Sequence, residues 1–219
     1  MYKQIGVIGD IHCQSKLLKI ALEFLQKNNI KDILSVGDII DGKGDVNKCF
    51  QLLQKYNVIT VRGNHENWFL EERLRHLKHA TQLIDLNLNY YEYINNLPAT
   101  RELKTPLGLL LLCHGIGEND MAHLKPYDYG YAIESNFPLQ DLINSRKYQF
   151  MINGHTHLRM VRKFDNLTII NGGSLKGKDE EKPCFLIVDF VDKIVNFYEF
   201  QEKEVILTET IALNSIKIN

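Results

Sequence analysis

The sequence predicts an α/β fold in which a parallel, helix-connected sheet is followed by a second, hairpin-rich sheet packed on it. Three observations carry this expectation. The first sixty residues alternate apolar extended runs with amphipathic helical ones, an order that implies parallel strands joined by crossovers. The last sixty are a succession of short apolar runs with turn residues between them, the pattern of a meander. Five of the apolar strands run into Gly or Cys and then into an oxygen or imidazole donor.

In chain order, "QIGVIGD" reads as a strand and "SKLLKIALEFLQKNN" as an amphipathic helix with Ser15 as its N-cap. "DILSVGD" is a strand, "VNKCFQLLQKY" a helix and "NVITVRGN" a strand. Helical spacing then covers "ENWFLEERLRHLKHA" and "TQLIDLNLNYYEYINN", with Pro98 ending the second. "LGLLLLCHG" returns to strand, residues 116–136 read as a long loop, and a short helix near "LQDLINSRK" precedes the strand in "YQFMINGHTHLRMV". "RMVRKF", "LTIING", "CFLIVDF", "KIVNFYEF" and "EVILTETI" complete the chain, with "FVDKI" as a hairpin connection. No Gly/Ser- or Pro-rich linker and no internal repeat interrupts it, so one domain over 1–219 is the expectation.

Composition narrows the function classes. With 26 Lys+Arg against 27 Asp+Glu the formal net charge is −1, and no basic block points to general nucleic-acid or membrane affinity. No apolar stretch approaches the ~20 residues that span a bilayer. "MYKQIGVIGD" lacks a signal peptide's apolar region, and Cys13, Cys49, Cys113 and Cys184 are scattered without a C-x-x-C pair. These features predict reduced thiols and a cytoplasmic location.

The strand ends carry the chemistry. "IGVIGDIH" ends in Asp10 and His12, "ILSVGDII" in Asp38, "VITVRGNHE" in Asn64, His65 and Glu66, "LLLLCHG" in His114, and "FMINGHTH" in His155 and His157. In open α/β sheets functional sites lie at the carboxyl ends of strands, so these donors belong at one rim. Residues two apart on an extended segment share a face, which aims His155 and His157 at one place; a pair of surface histidines in a loop is the bland alternative. A single Asp or His at a strand end more often caps a helix or closes a turn, but five such ends in succession point to a metal site. They hold five of the eight histidines; His76 and His79 read as a solvated helix face, and His123 lies in the long loop.

"GDIH", "GDIID", "GNHE", "HG" and "GHTH", in this order, resemble the calcineurin-like metallophosphoesterase superfamily. The resemblance implies a two-sheet β-sandwich flanked by helices, with a dimetal site at the strand C-terminal ends. It implies two divalent or trivalent ions, with Mn expected and Fe, Zn or Ni as alternatives: Asp10, His12 and His157 on one, Asn64, His114 and His155 on the other, and Asp38 bridging. Donors of this kind without cysteine suit these metals better than a thiolate-held structural zinc does. Two such ions clamp the attacking and leaving oxygens of an in-line displacement at phosphorus, with a bridging hydroxide as nucleophile.

The same resemblance gives His65 the role of stabilising the transition state and protonating the leaving alkoxide, worth typically ~10²–10⁴-fold. Glu66 is expected to orient the His65 ring, or to act as a first-turn helix residue favoured by the dipole. Asp41 is expected to hydrogen-bond a ligand or water. Arg62 resembles the phosphate-contacting arginine of the protein-phosphatase branch, although pairing with a nearby acid is open to it. "GKG" stands where that branch has a second arginine, and "GHTH" looks more like the small bacterial phosphoesterases. Cys13 is either a packed small residue or a thiol exposed to redox chemistry beside the metals.

For substrate, residues 116–136 offer Glu118, Asp120, His123, Lys125, Tyr127, Tyr129 and Tyr131, as a substrate rim or as a surface loop packed by its own aromatics. The first reading is a phosphomonoesterase acting on a phosphoprotein or a small phosphate ester. The alternative is a phosphodiesterase of cyclic or linear nucleotides, and the least favoured is a non-catalytic scaffold subunit. Oligomeric state is left open.

Overall fold

A computed structural model describes residues 1–177, 181–202 and 204–218. The N-terminal βαβαβ run forms as expected: β1 (Gln4–Ile8), α1 (Ser15–Lys27), β2 (Asp32–Ser35), α2 (Val46–Lys55) and β3 (Ile59–Thr60). β1 pairs parallel with β2, and β2 with β3. On the other edge of β1 lie β9 (Cys184–Asp189), β10 (Ile194–Gln201) and β11 (Glu204–Ala212), all antiparallel, in the order β11-β10-β9-β1-β2-β3. The second sheet contains β4 (Thr100–Thr105), β5 (Gly108–Cys113), β6 (Phe150–Asn153), β7 (Arg159–Phe164) and β8 (Leu167–Gly172), in the order β4-β5-β6-β8-β7.

Side-chain alternation builds the layers. On β5, Leu110 and Leu112 face the first sheet, where Ile5, Val7, Leu186 and Val188 meet them, while Leu111 and Cys113 face outward. β6 behaves alike: Phe150 and Ile152 point in, and Met151 points out. The outer face of the first sheet is covered by α1, whose Leu18, Ala21, Leu22 and Leu25 make one buried stripe, by α2, and by α4 (Leu88–Asn95) through Tyr90 and Ile94. Leu139 of α6 (Phe137–Ser145) covers the outer face of the second. The architecture is thus the expected two-sheet sandwich flanked by helices. Among the described residues no helix is long and apolar enough to cross a membrane.

Several local expectations are corrected. Gln14, not Ser15, occupies the α1 cap, and no side chain caps that helix; the preceding residues are committed to the turn in which Ile11 and His12 N–H reach the Asp38 carbonyl. The helix expected from Glu66 to Ala80 is only α3 (Asn64–Leu70). Glu72 and Leu74 then adopt φ of 55°, and the chain folds back as turns. The next helix is split into a 3-10 turn at Leu83–Asp85 and α4, because Asn47 receives the Asn87 N–H and donates to the Asp85 carbonyl. β4 carried no apolar signal, since only its Leu103 and Thr105 are buried. Residues 116–136 are mostly turns but include α5 (Tyr131–Glu134).

β1 runs on into the site through Gly9, where the backbone passes so close that a Cβ would lie 1.9 Å from the Gly173 carbonyl oxygen. That approach permits the bridge between Asp10 and Ser174 and the hydrogen bond from Leu175 N–H to the Asp10 carbonyl, 2.9 Å. Gly9→Ala is expected to destabilise the fold by about 1–3 kcal/mol and to weaken binding of divalent cation as Asp10 shifts. Urea unfolding and metal titration of the variant check both effects; unchanged values in both would show that this approach is not required.

Candidate metal centre

The strand ends converge, although His155 and His157 stand on left-handed backbone past the end of β6 rather than on the extended segment that their spacing predicted. Asp10 follows β1, His12 the turn after it, Asp38 the end of β2, His114 the end of β5, and His155 and His157 the end of β6. Six non-glycine residues here have positive φ: His12 44°, Cys13 60°, Asp38 47°, Asp41 58°, His155 67° and His157 63°. Such conformations cost about 1–3 kcal/mol each and persist where the surroundings over-determine them. Reversing the chain this abruptly turns consecutive side chains into one small volume. Gly154 makes room for it, because a Cβ there would meet Asp10 Oδ2 at 2.7 Å.

The ligand atoms of Asp10, His12, Asp38 and His157 all lie within 4.8 Å of one another. His12 Nδ1 lies 3.0 Å from the Asp41 carbonyl and 3.2 Å from that of Ile40. Carbonyls only accept, so Nδ1 carries the proton and Nε2 turns a lone pair toward His157 Nε2, 3.1 Å away. A second group adjoins the first at Asp38. His114 commits its Nδ1–H to the Val36 carbonyl at 2.9 Å, leaving Nε2 facing Asn64 Oδ1 at 2.8 Å and Asp38 Oδ2 at 3.4 Å. His155 Nδ1 lies 2.9 Å from the same Asn64 oxygen.

This donor set fits cations. Asp10 is fully buried, and its Oδ2 has no hydrogen-bond partner. Burial pushes the Asp10 carboxyl up to about 7, against the pull of His114, and burial pushes Asp38 up to about 8, against that of His65. Burial also drives His12 well below the ordinary imidazole value and, with His114 and His123 nearby, drives His155 down to about 3. Carboxylates that the protein leaves without positive partners and imidazoles held neutral with lone pairs converging are the ligand states a metal requires.

Around this group Glu66 keeps the first-turn place in α3 expected of it, while the His65 ring falls to Asp41. Glu66 does not orient His65. Its buried carboxylate accepts from the N–H of Asp38 (2.8 Å), Ile39 (2.7 Å), Ile40 (3.2 Å) and Gly63 (2.9 Å), which consumes both oxygens. Asp41 takes the His65 ring instead, with Oδ2 2.8 Å from Nδ1, leaving Nε2 3.8 Å from Asp38 Oδ2. Burial works against charge on His65, yet the Asp41 hydrogen bond and the Asp38 charge prevail and raise its pKa. Burial likewise opposes ionisation of Asp41, but hydrogen bonds from His65 and Arg75 hold it down at about 2.

The other expected residues fall as follows. The Arg62 guanidinium donates to the Asn95 carbonyl at the end of α4, 3.4 Å away, rather than to a residue of the cluster. Cys13 is buried and its thiol is pushed up to about 12 by burial, as befits a packed small residue. His76 and His79 are exposed but lie outside any helix. His123, read as an ordinary loop residue, has its ring centroid 5.9 Å from that of His155. Its loop is tied to α3 by Asn67 Nδ2 donating to Asp120, 2.6 Å. Arg75 and Thr81, both bonded to Asp41, were hidden by the expectation of a continuous helix.

A family model described as the calcineurin-like phosphoesterase superfamily domain matches residues 4–193. The chain belongs to that superfamily. Serine/threonine-protein phosphatase 1 of Salmonella typhimurium is 26% identical over 200 residues, which cover 80% of this chain and 89% of that protein. A metallophosphoesterase from Sphaerobacter thermophilus shares the fold with a TM-score of 0.67 and 21% identity, over 90% of this chain and 87% of its own. An archaeal phosphodiesterase does so with a TM-score of 0.57 and 20% identity, over 94% and 99%. Superfamily membership implies phosphoester hydrolysis with divalent metal ions.

Metal-free protein is expected to lose stability as the pH rises from 6.5 to 8. Asp10 and Asp38, with folded values near 7 and 8 against 3.8 for a free carboxyl, retain protons that the unfolded chain has released, so stability falls with pH up to those values. The raised His65 adds to the fall. His12 and His155, held below 6.5, oppose it near pH 6.5 and fade as the unfolded imidazoles lose their protons toward pH 8. Bound cation keeps the carboxylates ionised, so the rise in Tm on adding Mn²⁺ to EDTA-treated protein is expected to be larger at pH 8 than at pH 6.5. A Tm flat across this range without metal would contradict the assignment. Separately, Glu66→Gln points an amide donor at backbone donors and is expected to cost at least about 2 kcal/mol in urea unfolding; a wild-type midpoint would remove Glu66 from its structural role.

Proposed function

We propose that this phosphoesterase is a dinuclear enzyme that favours phosphomonoesters, with a phosphoprotein or a small phosphate ester as substrate. The observation that carries the dinuclear reading is the pair of ligand groups sharing Asp38: Asp10, His12 and His157 on one side, Asn64, His114 and His155 on the other. When bound there, the two ions supply positive charge to the phosphoryl oxygens and a water acidic enough to serve as nucleophile at neutral pH. Mn²⁺ is the ion proposed, since nitrogen and oxygen donors without thiolate suit it.

The chain's own residues do the rest. Asp41 accepts a hydrogen bond from the His65 Nδ1–H and so fixes Nε2 as the atom facing the cluster. The ring is packed between Trp68, with centroids 4.6 Å apart, and His12, 4.8 Å apart. From that position Nε2–H hydrogen-bonds the leaving oxygen and passes it a proton as the ester bond breaks. Glu66, by gathering the N–H groups of residues 38–40 and of Gly63, keeps Asp38 and Asn64 in register. One domain over residues 1–219 and a cytoplasmic location complete the proposal, the latter supported by four unpaired, buried cysteines.

The relation to a serine/threonine phosphatase of Salmonella supports the monoester preference. A phosphodiesterase is the second reading, favoured by one observation: the Arg62 guanidinium is engaged at Asn95, and a diester carries one ionisable oxygen fewer and needs less positive charge. Metal-stripped protein reconstituted with Mn²⁺ is expected to hydrolyse p-nitrophenyl phosphate in preference to bis-p-nitrophenyl phosphate. Asp38→Asn is expected to lower the rate by more than the ~10–100-fold typical of losing an outer hydrogen-bond partner of a metal ligand. Preference for the diester transfers the assignment to the second reading, and metal-independent turnover would overturn both.

A further inference from the structure

We propose that Arg75 is a positioning residue for the proton donor, acting on His65 through Asp41; this rests on His65 serving as the donor. Arg75 lies in the turn-rich segment after α3, far in sequence from Asp41, yet its guanidinium grips both carboxylate oxygens: Nη1 to Oδ1 at 2.9 Å and Nη2 to Oδ2 at 2.8 Å. The pair is sheltered, with side chains 15% and 8% exposed, so it is not an ordinary surface ion pair of little worth. Asp41 Oδ1 also accepts from Thr81 N–H at 2.7 Å, and Oδ2 lies 2.8 Å from His65 Nδ1. Each carboxylate oxygen thus takes one arm of the fork and one further donor.

The remaining contacts fix the fork itself. Nη1 also donates to the Thr81 carbonyl at 3.0 Å and Nε to the Arg73 carbonyl at 2.8 Å. The Gln82 amide donates to the Arg75 carbonyl at 2.8 Å, and the guanidinium carbon sits 5.7 Å from the Phe69 ring centroid. A planar fork on both oxygens sets the plane of a carboxylate, which a point-charge ammonium does not do. With that plane fixed, Oδ2 has one direction in which to receive the Nδ1–H, and the His65 ring has one orientation. Releasing the fork frees the carboxylate to rotate while leaving the metal ligands untouched, and a misplacement of ~1 Å at a reacting group can cost ~10²-fold.

A double-mutant cycle tests this on Mn²⁺-loaded protein of matched metal content, with p-nitrophenyl phosphate and the poorer leaving group of phenyl phosphate. Arg75→Met is expected to lower kcat by about 10–100-fold with KM nearly unchanged, and more on phenyl phosphate, where leaving-group protonation matters more. In an Asp41→Asn background the same substitution is expected to change kcat by less than about twofold, the ordinary limit of additivity. Arg75→Lys, which keeps the charge without the fork, is expected to fall between, and it replaces Arg75→Met in the cycle if that variant does not fold. Equal losses in the two backgrounds, or no loss in the first, overturn the proposal. An independent readout, taken on protein loaded with diamagnetic Zn²⁺ because Mn²⁺ would broaden nearby signals away, is the downfield proton resonance of His65 Nδ1–H, identified by its loss in His65→Gln. It is expected to broaden or vanish in Arg75→Met; a resonance identical to the parent's overturns the proposal. If the parent protein hydrolyses neither ester, the failure lies with the proposed function, and the resonance alone decides the role of Arg75.

Discussion

The site depends on one buried carboxylate that touches neither the expected metals nor the His65 ring. Glu66 lies in the first turn of α3, reaches back to Gly63 N–H at the start of its own helix, and takes three more N–H groups from residues 38–40. Hydrogen bonds from backbone to an ionised acceptor are about twice as strong as neutral ones, and here they fasten the end of β2 to the start of α3. Asp38 adopts positive φ within that grip, and its Oδ1 accepts in return from His65 N–H at 3.1 Å. The left-handed turn at Asp38 and the start of α3 hold one another in place.

The same logic extends around the rim. Asp10 Oδ1 accepts from His155 N–H at 3.0 Å, His114 Nδ1–H is held by the Val36 carbonyl, and Asn171 donates to the Gly154 carbonyl at 2.7 Å. Each ligand-bearing turn is secured by an element of the neighbouring strand or sheet, so the donor geometry is a property of the sandwich rather than of any one loop. The energetic cost is visible in the buried carboxylates and the left-handed residues, and cations would offset it. Function and local instability are therefore the same feature seen from two sides, with the surrounding apolar layers supplying the stability that the rim consumes.

The His65 side is built differently. His65 sits on a short helix, but its partner Asp41 comes from the turn after β2, and Asp41 is steadied by Arg75 and Thr81 from a segment with no regular structure. Irregular backbone is well suited to this because within seven residues it can present a guanidinium and an N–H to one carboxylate, and a carbonyl to that guanidinium. The loop at residues 116–136 follows a similar plan. It hangs from α3 through Asp120 and from β7 through Arg162, which donates to the Lys125 carbonyl at 3.0 Å.

From the sequence alone came the βαβαβ start, the two sheets and the Asp, Asn and His side chains that gather at the strand ends, because hydrophobic periodicity and donors at strand ends are local signals that tertiary contacts do not alter. It also marked His65 and the neighbouring acids as chemically important. It could not assign partners among them: Glu66 and Asp41 are both acids within reach of one turn, and only the packing of α3 against β2 decided that the first binds backbone and the second binds the ring. Nor could it foresee the end of α3 at Leu70, since residues 71–80 contain neither Gly nor Pro and their helical spacing was genuine. Helical propensity is worth tenths of a kcal/mol per residue, whereas a sheltered fork between Arg75 and Asp41 recruits two charges and several hydrogen bonds at once. Tertiary structure decided that contest, and with it the surroundings of His65.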